Sequence, residues 1–208
     1  MRATMDTRAS AARPAGAAVA SPAPGVAVVG GPDVDARLDL MDYLRGAGFA
    51  PFACGTAPGL APRFAAAGHA YHGYRGARSI SPAADLRGFR DLVALFWRLA
   101  PAIVHTYDTK PAVVGRLAAR AAGVPVVVGT LSGLGSLYTR GGARTAAVRT
   151  AYEAVQTVTS RVSDATIFQK PEDEQELVRR GVVPAARAHI IRGSGVRTEV
   201  LDPGAFTP

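Results

Sequence analysis

From Gly25 onward, short apolar runs alternate with stretches in which apolar residues recur every three or four positions. The first pattern predicts strands and the second predicts helices. VAVVG (26–30) runs into Gly-Gly-Pro, as a buried parallel strand would. Asp33 is placed to cap a helix carrying Leu38, Met41, Leu44 and Ala47, with Gly48 as its stop. FAPFAC (49–54) and HAYHGY (69–74) predict two further strands, with a loop and short helix over 55–68 between them. Ser81-Pro82 then supplies a capping hydroxyl and a proline for the first helical position. The inner face of that helix is expected at Leu86, Phe89, Val93, Phe96 and Ala100, flanked by Leu92 and Trp97. AIVHT (102–106) predicts a strand, and Asp108 or Thr109 a cap for a helix that Gly123 and Pro125 end. VPVVVGT (124–130) predicts a strand, LSGLGSLYTRGG a loop and residues 143–162 a helix. The strand DATIFQ (164–169), a helix over 171–180 stopped by Gly181, and the strand AHIIRG (188–193) complete the pattern.

About seven strands alternating with helices imply right-handed crossovers. The expected fold class is therefore α/β, a doubly wound, mostly parallel Rossmann-like sheet over residues 25–200. Residues 1–24, rich in Ala, Pro, Arg and Ser, read as a disordered extension. Residues 201–208 read as the start of a linker or a truncated end. Sheets of this kind bind ligands beyond the carboxyl ends of their strands. Those ends carry Gly30-Gly31, His105 to Lys110, Thr130 to Ser136, Gln169-Lys170 and Gly193 to Val196.

Composition narrows the function classes. Hydrophobic residues make up 48% of the 208 positions and charged residues 19%, enough apolar material for a packed core. Lys and Arg number 24 against 16 Asp and Glu, for a net charge of +8, and only Lys110 and Lys170 are lysines. A GC-biased genome and a functional basic surface both account for that excess. Between residues 60 and 90, Arg63, Arg75, Arg78, Arg87 and Arg90 face only Asp85. This patch suits peripheral contact with anionic lipid head groups, with a solvated surface as the plainer reading. The aromatics are not interleaved with a basic stripe and no nucleic-acid module fits, so no nucleic-acid partner is expected. Cys54 is the single cysteine, which excludes an intrachain disulfide and suits a reducing, cytoplasmic setting. No apolar run approaches the roughly 18 residues that a membrane-spanning helix needs.

The candidate chemistry lies in the loops. VVGGPDVDA holds Gly30 and Gly31 where a backbone can approach a ligand, but the G-x-G-x-x-G and P-loop spacings are missing. A nicotinamide cofactor is not expected there. In TLSGLGS, the backbone around Ser132, Gly133 and Gly135 can hold a phosphate or sugar hydroxyl, or simply turn. His105 is open between a base, a donor to a sugar hydroxyl and a satisfied core histidine. Asp108 reads as a cap. Lys110, in the first turn of a helix, opposes the helix dipole, and an anionic ligand would justify it. His69 and His72 have no ligand cluster nearby, and no metal site is expected. The G-x-S-x-G elbow is absent.

Four stretches, taken in order, resemble the N-terminal domain of family 4 glycosyltransferases, enzymes with two Rossmann-like domains in the GT-B arrangement. They are IVHTYDTKPAVVGRLAARAAGVPVVVGT, TLSGLGSLYT, ATIFQKPEDEQELVRRGVV and HIIRGSGV. The second is similar to a loop of members that build capsular and lipid-linked polysaccharides. The resemblance implies the acceptor side of an interdomain cleft, lined by His105, Asp108 and Lys110; Gly30, Gly31, Ser132, Gly133, Gly135, Lys170 and Ser194 are further candidates for substrate binding. It implies retaining transfer from a nucleotide-sugar donor to a glycan or polyprenyl-linked acceptor, without a cofactor or divalent metal. The donor would be bound mainly by a C-terminal domain with a Glu-x7-Glu motif, which this chain lacks, so a separate donor domain is an implied partner and the chain alone would be inactive. Two positions depart from the family: Ser132 stands where many members carry histidine, and Arg197 where the junction usually shows Asp. A non-catalytic docking domain and half of a sugar-nucleotide epimerase are the alternative readings.

Overall fold

The computed structural model describes residues 22–76, 81–139 and 141–193. Its strands are β1 (Gly25–Val29), β2 (Ala50–Gly55), β3 (Ala70–Gly73), β4 (Ile103–Thr106), β5 (Val126–Leu131), β6 (Ala165–Phe168) and β7 (Ala188–Ile190). The α-helices are α1 (Leu38–Gly46), α2 (Ala61–Ala66), α3 (Pro82–Leu99), α4 (Thr109–Ala121), α5 (Ser136–Thr139), α6 (Ala143–Val162) and α7 (Pro171–Arg179). All seven strands pair in parallel, in the order β3-β2-β1-β4-β5-β6-β7. The chain builds outward from β1 through β2 to β3, then crosses to the other side of β1 with β4. That reversal opens a crevice between the carboxyl ends of β1 and β4.

The apolar runs are continuous because both faces of the sheet are covered. Ala27 and Val29 of β1 pack with Phe52, Leu92, Leu95, Phe96 and Val104 on the side of α3 and α4. Val26 and Val28 pack with Val34, Met41, Ala53, Phe64 and Tyr107 on the other side. A third cluster, Leu131, Phe168, Leu177, Val182 and Val183, seats α7 against the far strands. Burying a side chain such as Phe96 or Leu92 stabilises the fold by about 1.5–3 kcal/mol each.

The doubly wound parallel sheet is as the pattern predicts, and α6 and β7 fall within the predicted segments. Several local expectations are corrected. None of the hydroxyl or carboxylate caps expected at Asp33, Ser81 and Asp108 makes a side-chain capping bond. A 3-10 turn over Val34–Arg37 stands before α1, and Ala47, expected on its inner face, is exposed. On α3 the buried stripe is Gly88, Leu92, Leu95 and Phe96, while Leu86 and Trp97 are 50% and 68% exposed. Gly88, at the N-terminal end of the stripe, lets α3 approach the loop after β3 closely. The loop LSGLGSLYTRGG contains the single turn α5. Helix α6 buries a polar side, Gln156, Thr159 and Ser160, and exposes Val148, Val155 and Val158; Gln156 Oε1 accepts from the buried Arg116 guanidinium and the Ser160 hydroxyl donates to the Val182 carbonyl. Residues 1–21 of the predicted extension, the 201–208 segment, Arg78 and Ser194 lie outside the described residues.

Candidate functional site

A cleft of about 470 Å³ occupies the crevice between β1 and β4. Its floor is the turn after β1, Gly31-Pro32-Asp33. One wall is the start of α4, with Asp108, Lys110, Pro111 and Val114. The other wall comes from Thr56 after β2, Tyr74 to Gly76 after β3, and Asp85 and Gly88 on α3.

Three contacts hold this frame. The Gly31 N–H donates to Asp108 Oδ2 at 3.1 Å, tying the two sides of the crevice together. Asp108 adopts φ 65°, a left-handed conformation that costs a non-glycine residue about 1–3 kcal/mol. The capping geometry is lost because the carboxylate turns to Gly31 instead of its own helix. The Tyr74 hydroxyl donates to the Gly30 carbonyl at 3.0 Å, and burial pushes the phenol pKa up. Lys110 Nζ meets Asp85 Oδ1 at 2.6 Å across the cleft, bridging α4 and α3. The carboxylate of α3 thus supplies a negative partner that the sequence pattern left to a ligand, and it offsets the unfavourable place of a cation in a first helical turn.

Gly88 permits the fourth feature. A Cβ there would lie 2.2 Å from the Arg75 carbonyl oxygen, so only glycine lets α3 close on the loop after β3. Arg75 is fixed in turn by a two-pronged pair with Asp91, Nε to Oδ2 at 2.8 Å and Nη2 to Oδ1 at 2.5 Å.

His105 does not line this cleft. Side chains alternate along β4; Val104 joins the core under α3 and α4, and His105 turns to the other face with Ile103. Its Nε2 is 2.8 Å from Thr130 Oγ1 and its Nδ1 is 3.1 Å from the Tyr107 hydroxyl. The Arg37 guanidinium sits 4.4 Å from the Tyr107 ring centre. Burial, with the Arg37 charge in support, lowers the imidazole pKa to about 4, so the ring is neutral and hydrogen-bonded on both nitrogens.

The remaining candidates stand apart from the cleft. Ser132, Gly133 and Gly135 are exposed in the loop beyond β5, and Gly135 has φ 59°. Lys170 is exposed at the start of α7. The loop and α7 are neighbours: a Cβ on Gly133 would lie 3.8 Å from Asp173 Oδ2. Among the described residues, no group of three or more His, Cys, Asp and Glu gathers as a metal site needs.

Sequence reasoning missed Thr56, Tyr74, Gly76, Asp85 and Gly88 as parts of the cleft. The strand-end rule covers Thr56 and Tyr74 to Gly76, and an isolated glycine within a helical pattern is the usual mark of a close approach. Nothing local marked Asp85, which reaches the cleft only through the packing of α3 on α4.

The chain is 29% identical over 126 residues to the Escherichia coli UDP-Gal:alpha-D-GlcNAc-diphosphoundecaprenol alpha-1,3-galactosyltransferase, covering 61% of this chain and 31% of that enzyme. A glycosyltransferase of Rickettsia africae superposes with a TM-score of 0.60 at 16% identity, over 89% of this chain and 46% of that one. The UDP-GlcNAc 2-epimerase of Methanocaldococcus jannaschii does so with a TM-score of 0.57 at 14% identity, over 81% and 45%. The two structures share the fold, and this chain spans about half their length or less. Residues 30–193 match the glycosyl transferase 4-like domain model, so the chain belongs to that family.

Proposed function

We propose that this chain is the acceptor-binding domain of a retaining glycosyltransferase that moves a sugar from a nucleotide-sugar donor to a glycan or lipid-linked acceptor. The observation that carries the reading is the cleft between β1 and β4, framed by Gly31, Asp108 and Lys110 at the switch point of a family-matched sheet. Asp33 and the remaining carboxylate oxygens of Asp85 and Asp108 offer acceptors for sugar hydroxyls, and Lys110, whose charge Asp85 offsets in part, offers ammonium N–H donors. Gly30 supports the floor through Tyr74. Ser132, Gly133, Gly135 and Lys170 would form the far rim of an interdomain cleft, His105 would support it from the other face of β4, and Ser194, outside the described residues, is proposed as a further binding residue. The donor nucleotide would be held, and its departing diphosphate stabilised, mainly by cations of a second, donor-side domain.

A lipid-linked acceptor would bring the protein to the cytoplasmic membrane surface as a peripheral protein. Among the described residues no helix is long and apolar enough to cross a membrane. Of the predicted arginine patch, Arg63, Arg75, Arg87 and Arg90 are all exposed, Arg63 pairing with Asp35 and Arg75 with Asp91.

The test is transfer of radiolabelled sugar from UDP-sugars to a polyprenyl-diphosphate-linked sugar, using the native polypeptide together with a donor-side domain. Retained anomeric configuration in a lipid-extracted product is the expected result. Epimerised UDP-sugar formed without any acceptor would instead support the epimerase reading. No turnover, with a co-purifying protein partner, would support a docking domain.

A further inference from the structure

Helix α3 has two jobs for two faces. Its inner face carries Gly88, Leu92, Leu95 and Phe96 into the core, and its first turns wall the cleft. Its outer face carries Leu86, Arg87, Arg90, Trp97 and Arg98, all exposed. At about 100° per residue these five fall within an arc of roughly 120°, Leu86 and Trp97 along one edge and Arg87 and Arg98 along the other. The two acids of the helix are occupied elsewhere, Asp85 with Lys110 and Asp91 with Arg75. The arc therefore presents three guanidinium groups and two large apolar side chains without a carboxylate.

The geometry points to this outer face of α3 as the surface that docks on an anionic lipid bilayer, with the helix lying flat among the head groups. The charge pattern selects the occupant. Arginines on one flank suit lipid phosphates, and each basic residue near such a surface adds to binding. Tryptophan favours the head-group boundary, where its ring is buried and its indole N–H stays wet. Leu86 and Trp97, roughly 16 Å apart along the axis, give two insertion points on one line. A soluble acidic partner would use the arginines but would leave 68% of Trp97 without a stated cover. Docking this way sets the cleft, walled by Asp85 and Gly88 of the same helix, beside the lipid surface from which a lipid-linked acceptor would enter.

The docking surface shares Arg87 and Arg90 with the arginine set read from the sequence and adds Arg98; Arg63 and Arg75 pair with Asp35 and Asp91, and Arg78 lies outside the described residues.

Trp97 is the single tryptophan of the chain, so intrinsic fluorescence reads this face directly. The full chain is titrated with vesicles of mixed phosphatidylglycerol and phosphatidylcholine, and with vesicles of phosphatidylcholine alone. The expected result is a blue shift of Trp97 emission and quenching by brominated acyl chains with the anionic vesicles only, weakened by salt. Arg87→Gln/Arg90→Gln/Arg98→Gln, with an unchanged melting temperature, should lower vesicle partitioning on the order of a hundredfold. Leu86→Ser should reduce partitioning while leaving the salt dependence in place. Three results would overturn the proposal: no preference for anionic vesicles, binding without a change at Trp97, or a triple variant that binds as well as the parent. A Trp97 shift with polyglutamate but not with vesicles would also overturn it, in favour of an acidic protein. No sugar transfer enters this assay, so the lipid surface and the proposed transferase activity fail or stand separately.

Discussion

The cleft beyond β1 and β4 and the loops beyond β5 and β6 occupy the same edge of one sheet, yet they are built differently. In the cleft the polar groups are engaged with each other: Gly31 with Asp108, Tyr74 with Gly30, Lys110 with Asp85. Backbone strain at Asp108 and a forced glycine at Gly88 are tolerated because neighbours on four elements over-determine the shape. Beyond β5 and β6, Ser132, Gly133, Gly135 and Lys170 are exposed, and a side chain added at Gly133 would meet only an ordinary contact. The difference separates a binding wall made in advance by the domain itself from a rim whose shape a second domain or ligand would complete. Cleft positions should therefore respond to substitution through stability, and rim positions chiefly through activity.

The largest effect expected is at Gly88. Gly88→Ala drives a methyl against the Arg75 carbonyl and should cost at least about 1–3 kcal/mol, read as a lowered denaturant midpoint. A neutral result would mean that the loop after β3 is free to move, and the wall would lose its claim to being preformed. The next effect lies on the far face of β4, where His105 is buried neutral with a pKa near 4 against an ordinary value of 6.5. The unfolded chain binds that proton first as the pH drops. Stability should therefore be full above pH 6.5 and fall between about 6.5 and 4, by on the order of 3 kcal/mol. His105→Gln should flatten that part of the stability curve; an unchanged slope would assign it to the carboxylates.

Asp108 sharpens the comparison further. Asp108→Ala keeps the strained φ and loses the bond to Gly31, for about 1–2 kcal/mol, while Asp108→Gly loses the bond but relieves the strain and should be milder. If both variants melt together, strain contributes nothing. A smaller coupling, about 0.5–1 kcal/mol, is expected for Lys110 and Asp85 in a double-mutant cycle, since both are partly exposed. The smallest effect belongs to the rim: Gly133→Ala should stay within about 0.5 kcal/mol in urea melts and show its effect in sugar transfer. A large loss of stability there would erase the distinction.

Much of this was legible before folding. Gly30-Gly31 and the HTYDTKP stretch were placed at strand ends by the alternation of apolar runs and helical spacing alone, and Gly31, Asp108 and Lys110 do meet in the cleft. His105, three residues before Asp108, groups with it in a linear reading, because the sequence does not show which face of β4 borders the cleft. Alternation along β4 sends the imidazole to Thr130 and Tyr107 instead. Trp97 was placed beside a buried stripe, because one apolar residue looks like another until packing chooses the face. The polar interior of α6 was hidden for the same reason, since Gln156 is buried only by meeting Arg116 of α4.

The sequence by itself determined the order of strands and helices, the parallel α/β class, and which loops reach the ligand-binding edge. Those follow from periodicity and from local breakers such as Gly48, Gly123 and Gly181, whose positive φ values end their helices. Only the tertiary structure decided which groups share a space or a face: Asp85 with Lys110, Gly31 with Asp108, Gly88 against Arg75, and three arginines with Trp97 on the exposed face of α3. Such pairings depend on helix rotation and on contacts between residues far apart in the chain. Their free energies come from packing and desolvation, which a one-dimensional pattern does not encode.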